Sequence, residues 1–191
     1  ASGMWSRQIA ADVNVSIPLY PVEHFYVLTE GIKNLDKSLP VLRDYDHCLY
    51  IKEDAGKFLV GIFEPNAKPA FTNTNKVPED FSFSELPEDF DHFEPYLMHA
   101  IKRIPELESL GIRKFFNGPE SFTPDTNYLL GETSEIKNFF VCCGFNSIGI
   151  VSAGGAGKIT AEWRINGEIS EDVFSLDITR FEKFHSETNF I

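Results

Sequence analysis

Two short runs rich in apolar residues lie on either side of a turn near residue 55. The runs are Leu49–Lys52 and Lys57–Phe63, and the turn between them is Glu53-Asp54-Ala55-Gly56. Short apolar runs of this length are typical of strands, and the Gly-containing turn between them favours a hairpin. The pattern therefore predicts two antiparallel strands joined by a tight turn.

The rest of the pattern mixes helices with strands. Helical spacing of apolar residues predicts three helices: Met4–Val13, Phe93–Ile104 and Ala153–Ile165. Apolar or alternating stretches predict three more strands: Ile17–Thr29, Ile112–Phe116 and Asn138–Cys143. Between these elements, Glu64–Asp91 is rich in Pro, Asn and Asp and is typical of a long surface connection. Strands dominate the middle and helices the ends, so the predicted fold class is α+β.

Composition excludes several partners. The 191 residues include 29 Asp and Glu against 17 Lys and Arg, a net charge of −12. A field of that sign repels nucleic acid and anionic lipid. No stretch approaches 18 apolar residues, so no membrane span is predicted. With 42% hydrophobic residues and 18 Phe, the chain has enough apolar surface to bury one core.

The three Cys do not form a disulfide framework or a metal-binding pattern. Cys142 and Cys143 are adjacent within an apolar run. We predict that both are small buried hydrophobic residues in a reducing compartment. Spacings typical of a metal site are absent among the Cys and the five His, so no metal is predicted.

A glycine-rich stretch, Ala153-Gly154-Gly155-Ala156-Gly157-Lys158, invites a phosphate-loop interpretation. Ser152 stands where that motif needs Gly, and Ile159 where it needs Ser or Thr, so a nucleotide-triphosphate site is disfavoured. Two alternatives stay open. The glycines permit close helix–strand packing, or they open a helix whose positive end faces an anion or an electron-rich ring.

His24 and Tyr50 lie on predicted strands, where such residues are commonly structural. Asp89 and Asp91 are expected to cap the helix that follows them. The residues alone indicate an acidic α+β domain with a glycine-rich helix start.

Several segments, in order and spacing, resemble the dimethylglycine and sarcosine dehydrogenase family of FAD-dependent amine oxidoreductases. The segments that carry the resemblance are Ala1–Trp5, Ile17–Tyr26, Pro40–Asp44, Asn117–Asp125 and Gly144–Ile150. The resemblance implies oxidation of an N-methyl amino acid by hydride transfer to flavin. It also implies an antiparallel-sheet substrate domain of the D-amino-acid-oxidase type.

The family's members are longer, so the chain is expected to be a fragment. The resemblance divides it into four parts: an FAD-domain helix over 1–14, the substrate-binding domain over 15–113, a C-terminal part of the FAD-binding domain over 114–166, and a tail over 167–191. An N-terminal FAD-binding half and a C-terminal domain that can bind folate are expected outside it. We therefore expect the chain alone to be inactive and to bind FAD weakly or not at all.

The resemblance also assigns site residues. His24 and Tyr50 are implied as catalytic: they orient the amine, and the imidazole, whose pKa is near neutrality when unperturbed, could help to deprotonate it. Residues implied to contact FAD are Trp5, Phe145, Asn146, Ser147, Ile148, Gly149 and Ile150. The expected location is the cytoplasm, or the mitochondrial matrix in a eukaryote.

An alternative comes from a second resemblance. The stretches Glu23–Tyr26, Asp91–Pro95 and Glu120–Asp125 are also similar to the regulatory subunit of pyruvate dehydrogenase phosphatase. That resemblance implies a non-catalytic regulatory module with the same architecture.

Overall fold

The computed structural model describes residues 2–187 and 189–190 of the chain. Within these ranges, residues up to Val22, Pro69–Phe81 and residues from Glu120 onward form a first unit, and Glu23–Lys68 with Ser82–Pro119 form a second. Ala1 of the predicted segment 1–14, and Thr188 and Ile191 of the predicted tail, lie outside the described residues. The functional division into 1–14, 15–113, 114–166 and 167–191 stays a prediction.

A five-stranded sheet makes up most of the second unit. Its strands are β1 (Tyr20–Thr29), β2 (Leu42–Asp44), β3 (Leu49–Asp54), β4 (Lys57–Ile62) and β5 (Ile112–Phe122), in the order β2-β3-β4-β1-β5. The predicted hairpin is confirmed, because β3 and β4 pair antiparallel from Asp54↔Lys57 outward. Ala55 and Gly56 both have positive φ, 51° and 82°, as the tightest hairpin turns require.

Helix α2 (Phe90–Arg103) covers the buried face of this sheet. Phe93 and Ala100 of the helix are fully buried with Phe25, Val60 and other apolar strand residues. The helix begins three residues before the predicted Phe93, because the Asp89 carboxylate accepts a hydrogen bond from the His92 backbone N–H at 3.1 Å. Pro95 therefore lies inside the helix rather than in its first turn.

The first unit contains two longer helices and a two-stranded sheet. Its elements are α1 (Ser6–Ala11), β6 (Leu129–Glu132), β7 (Phe140–Cys143) and α3 (Gly149–Asn166). Short 3₁₀ helices complete the fold: Gly3–Trp5, Ile178–Arg180 and Lys183–Ser186 here, and Pro105–Ser109 in the second unit. The core of this first unit is formed by apolar side chains from segments far apart in the sequence, among them Ala10, Leu19, Leu129, Val141 and Ile178.

Helix α3 corrects the prediction about the glycine-rich stretch. It begins at Gly149, not at Ala153, so Gly154, Gly155 and Gly157 lie inside the helix. A Cβ at any of these three positions would meet no described atom within 4 Å. The close helix–strand packing predicted from the glycines is therefore not found among the described residues.

The adjacent cysteines also differ from expectation. Cys143 is buried, whereas Cys142 is exposed, and both are free thiols. They lie on β7, where neighbouring side chains point to opposite faces, so the prediction that both are buried is wrong for Cys142. In the part of the chain that the structure describes, no helix is long and apolar enough to cross a membrane.

Candidate active site

One face of the second unit's sheet is open and rich in aromatic side chains. Along β1, Phe25 and Val27 point into the core, whereas His24 and Tyr26 alternate with them and point to the other side. Gly61 pairs with Tyr26 on one side and with Tyr50 on the other. We call the side of the sheet that carries His24, Tyr26, Tyr50 and Phe63 the aromatic face.

His24 and Tyr50 meet on this face although they are 26 residues apart. The His24 Nε2 and Tyr50 Oη atoms lie 3.0 Å apart, a hydrogen bond whose donor depends on the imidazole tautomer. The planes of the two rings are almost parallel, with an interplanar angle of 3° and centroids 6.0 Å apart. The Phe63 ring contacts both, at 4.7 Å from the His24 centroid and 5.4 Å from that of Tyr50.

Gly61 makes room for the Tyr50 ring. A Cβ at position 61 would lie 2.1 Å from Tyr50 Cζ and 2.2 Å from Tyr50 Oη, far inside van der Waals contact. The Tyr50 ring therefore lies flat over the backbone of β4, which directs its hydroxyl toward His24 on β1. Any larger residue at position 61 would occupy the volume of this ring.

Arg43 extends the aromatic face toward the sheet edge. It is the cross-strand partner of Tyr50. Its guanidinium carbon lies 5.6 Å from the Tyr50 ring centroid and 5.1 Å from that of Phe63, within the range of cation–π attraction. The side chain is exposed, and no carboxylate in the described residues forms an ion pair with it.

Burial, and after it the nearby positive charge of Arg43, together lower the pKa of His24 from 6.5 to about 4. Both effects disfavour the imidazolium. His24 is therefore neutral at pH 7 and is a weak base. The pKa near neutrality of an unperturbed imidazole does not apply here, because the environment of His24 on the sheet is partly desolvated and positively charged.

An ion-pair network holds the strand that carries Arg43. The next residue, Asp44, is buried and accepts hydrogen bonds from Arg103 Nη2 at 2.7 Å and from Arg103 Nε at 3.1 Å. His47 lies within 3.1 Å of the same carboxylate. The hydrogen bond from Arg103 is the main reason that the pKa of Asp44 falls to about 2. Because Asp44 is hydrogen-bonded to Arg103 of α2, the backbone of the neighbouring residue Arg43 is held in position.

In the first unit, the loop before α3 has an unusual backbone. Asn146 and Ser147 both have positive φ, 45° and 66°, a conformation that costs free energy for residues other than Gly and often marks functional sites. The Ser147 hydroxyl donates to Glu120 Oε2 at 2.5 Å, and the Asn146 amide donates to the Thr126 carbonyl at 2.5 Å. Burial raises the pKa of Glu120, although hydrogen bonds from Ser147 lower it.

The same loop combines apolar surface with polar atoms. Phe145 stacks on Tyr128 with ring centroids 4.6 Å apart. Ile148 and Ile150 are exposed, the latter completely, and no side chain caps the start of α3 at Gly149. The Asn146 Oδ1 atom is buried without a hydrogen-bond partner.

The structure brings together only some of the predicted site residues. His24 and Tyr50 are in contact, and Phe145–Ile150 form one loop. Trp5 instead donates a hydrogen bond from Nε1 to the Pro78 carbonyl at 3.3 Å, and no described hydrogen bond or ring contact joins it to that loop. No group of three or more His, Cys, Asp or Glu within the described ranges is arranged to hold a metal ion.

Three residues of the aromatic face, Arg43, Gly61 and Phe63, had no predicted role. The position of Gly61 was predictable, because the turn at residues 55 and 56 sets the register of the hairpin and places residue 50 opposite residue 61. Nothing in the sequence shows the pairing of the three-residue strand β2, so the position of Arg43 was not predictable.

A profile of the FAD dependent oxidoreductase family matches residues 1–163. The match covers most of the chain, so the chain belongs to that family. Both the aromatic face and the loop before α3 lie within the matched residues.

Three relatives match along nearly the whole chain. The 4-methylaminobutanoate oxidase (formaldehyde-forming) of Paenarthrobacter nicotinovorans is 42% identical over 100% of this chain and 23% of its own length. The mitochondrial pyruvate dehydrogenase phosphatase regulatory subunit of Mus musculus is 40% identical over 100% of the chain and 22% of its length. The mitochondrial sarcosine dehydrogenase of Mus musculus is 38% identical over 98% of the chain and 20% of its length. The chain therefore spans less than a quarter of each relative, and both predicted resemblances are confirmed.

Solved structures show the same fold. The L-proline dehydrogenase from P. horikoshii superposes with a TM-score of 0.74 at 24% identity, over 96% of this chain and 46% of that one. The glycine oxidase from Geobacillus kaustophilus gives a TM-score of 0.71 at 22% identity, over 95% and 45%. The predicted α+β fold of the D-amino-acid-oxidase type is confirmed.

Proposed function

We propose that the chain supplies the amine-binding surface and part of the flavin-binding surface of an FAD-dependent oxidoreductase that oxidises an N-methyl amino acid. The contact of His24, Tyr50 and Phe63 on one open sheet face is the observation that carries this proposal. Relatives named for 4-methylaminobutanoate and sarcosine support the substrate class, because both compounds combine an N-methyl amine with a carboxylate.

The aromatic face suits a methylated amine. The rings of Phe63 and Tyr50 give apolar contacts to N-methyl carbons, and the His24–Tyr50 pair offers polar atoms beside them. Oxidation requires a neutral amine, because the nitrogen lone pair must help to expel a hydride. His24 is neutral at pH 7, so it does not repel a cationic substrate. We assign it an orienting, hydrogen-bonding role rather than that of a strong base.

The proposed reaction removes a hydride from the N-methyl carbon. The nitrogen lone pair forms the new C=N bond of an iminium, which water hydrolyses to formaldehyde and the demethylated amine. When bound, FAD supplies the acceptor for the hydride. The chain's own residues hold and orient the amine against the rings.

The loop Phe145–Ile150 fits a flavin ring system. Exposed Ile148 and Ile150 provide apolar contact for a flat ring, and the uncapped amides at the start of α3 provide hydrogen-bond donors for its electron-rich edge. The unpartnered Asn146 Oδ1 atom would accept a hydrogen bond from a ring N–H. We propose that these residues hold the ring, with Trp5 as a further contact.

A second candidate function is a non-catalytic regulatory module. The 40% identity to the pyruvate dehydrogenase phosphatase regulatory subunit over the whole chain favours it specifically. In that case the same fold and the same aromatic face would be present without amine oxidation.

The discriminating experiment uses the full-length protein that contains this chain. The purified protein is mixed without oxygen with sarcosine, dimethylglycine or 4-methylaminobutanoate, and flavin absorbance and formaldehyde are measured. Bleaching of the flavin with stoichiometric formaldehyde from at least one amine is expected. A flavin that none of these amines reduces would contradict the enzyme proposal and favour the regulatory one. Folate use and the cytoplasmic or mitochondrial location stay predictions.

A further inference from the structure

Arg43 is an exposed cation without a carboxylate partner in a chain where carboxylates are abundant. Acidic residues outnumber basic ones by 29 to 17. Four other cations of the second unit each contact a carboxylate: Lys52, Lys68, Arg103 and Lys114. Within the described residues Arg43 forms no such ion pair, and neither do Lys33, Lys57 and Arg113. Arg43 differs from these three in lying over two aromatic rings, so its charge is available to a ligand on the aromatic face.

The guanidinium is also held in a defined place. It lies over the rings of Tyr50 and Phe63, at 5.6 and 5.1 Å from their centroids. The backbone of β2 is fixed on one side by pairing with β3 and on the other by the Asp44–Arg103 contact. A guanidinium that lies against aromatic rings keeps N–H donors at its edges, and two parallel donors match the two oxygens of a carboxylate.

We propose that Arg43 binds the carboxylate of the amino-acid substrate and so selects N-methyl amino acids over simple methylamines. This inference rests on the proposed function and specifies its substrate class. The polar pair His24–Tyr50 and the Phe63 ring take the amine end, while Arg43 takes the acid end from the neighbouring strand. One positive charge at this end of the aromatic face matches a single carboxylate, and the rings under it hold the guanidinium in place.

The kinetic test compares two substrates in the FAD-loaded full-length protein. Dimethylglycine has a carboxylate, and N,N-dimethylglycinamide replaces it with a neutral group of similar size. Arg43→Gln is expected to raise KM for dimethylglycine by about 100-fold and to change kcat much less. The KM for the amide should stay nearly constant. Arg43→Lys should recover part of the loss, since it keeps the charge without the paired donors.

The matched control is Arg113→Gln, which removes another exposed cation of the same unit, on β5. It should leave both KM values unchanged. An equal KM increase in Arg113→Gln would show a general charge effect and would overturn the inference.

A binding measurement separates this inference from the proposed function. Glycine betaine has a carboxylate and a quaternary nitrogen without a lone pair, so it cannot be oxidised by this route. Its binding is measured by calorimetry in the wild type, Arg43→Gln and Arg113→Gln. Binding that is lost only in Arg43→Gln supports the inference, even if no amine reduces the flavin and the proposed function fails. Absence of binding to the wild type, or equal binding to Arg43→Gln, overturns the inference whether or not amines are oxidised.

Discussion

Replacing Gly61 with Ala tests the geometry of the aromatic face with a single methyl group. The new Cβ would lie 2.1 Å from Tyr50 Cζ, whereas an ordinary contact between carbons is about 3.5–4.0 Å. The ring must therefore move by more than about 1 Å. A movement of that size breaks the 3.0 Å contact between Tyr50 Oη and His24 Nε2.

The expected cost follows from three contributions. Overpacking costs about 1–3 kcal/mol, and loss of the hydrogen bond costs about 1 kcal/mol. Removing a glycine restricts the unfolded chain and returns about 0.4–1 kcal/mol. We expect a net destabilisation of about 2 kcal/mol.

The assay is urea-induced unfolding followed by circular dichroism. The control is Gly118→Ala, also on a strand, where a Cβ meets no atom of the described residues within 4 Å; it should be neutral or slightly stabilising. In a Tyr50→Ala background the Gly61→Ala penalty should vanish, which gives a coupling free energy of about 2 kcal/mol. A Gly61→Ala variant as stable as the wild type, or an unchanged penalty without the Tyr50 ring, would refute the placement of that ring.

Further predictions concern pH, a helix cap and a glycine contact. The folded-state pKa of His24 is about 4 against 6.5 for the ordinary group, so the unfolded chain binds more protons between these values. The free energy of unfolding should therefore fall by up to about 3 kcal/mol as the pH is lowered from 6.5 toward 4. Urea titrations of His24→Gln should lack this pH dependence. Asp89→Ala removes the α2 cap and should cost about 1 kcal/mol, whereas thermal melts of Asp91→Ala should show a smaller loss. At Gly131, where φ is 113° and a Cβ would lie 2.7 Å from the Trp163 ring, Ala should cost about 2–3 kcal/mol. Tryptophan fluorescence would register this change, and a neutral effect would contradict the contact.

The hairpin was predictable because its determinants are local. The residues Ala55 and Gly56 reverse the chain, and the register of β3 and β4 follows directly from that turn. Local rules also located α2, although the Asp89 cap places its start earlier than the apolar spacing indicated.

The parts that were missed depend on contacts between distant residues. The position of β2 relies on Asp44, whose partner Arg103 is 59 residues away. The start of α3 at Gly149 follows two residues with positive φ, Asn146 and Ser147, and neither is a glycine that would have marked the turn. The glycines at 154–157 instead suggested a helix start where the helix already runs.

The candidate site was partly predictable by resemblance and not by pattern. The resemblance indicated His24 and Tyr50, and the structure brings these two side chains together. His24 lies on β1 and Tyr50 on β3, and the Tyr50 ring can cross the strand between them only because residue 61 is a glycine. No sequence motif indicates this role of Gly61. The lowered pKa of His24 depends on burial and on Arg43, and both require the folded sheet.

Rapid mixing of the full-length, FAD-loaded protein with dimethylglycine in the absence of oxygen is the most direct measurement of the role of the aromatic face. The first-order rate of flavin bleaching is compared among wild type, His24→Ala, Tyr50→Phe and Tyr45→Phe, the last at an exposed position. We predict that His24→Ala and Tyr50→Phe bleach at least about ten-fold more slowly with full flavin content, and that Tyr45→Phe matches the wild type. Equal rates in all four proteins would contradict the assignment of this sheet face to the amine.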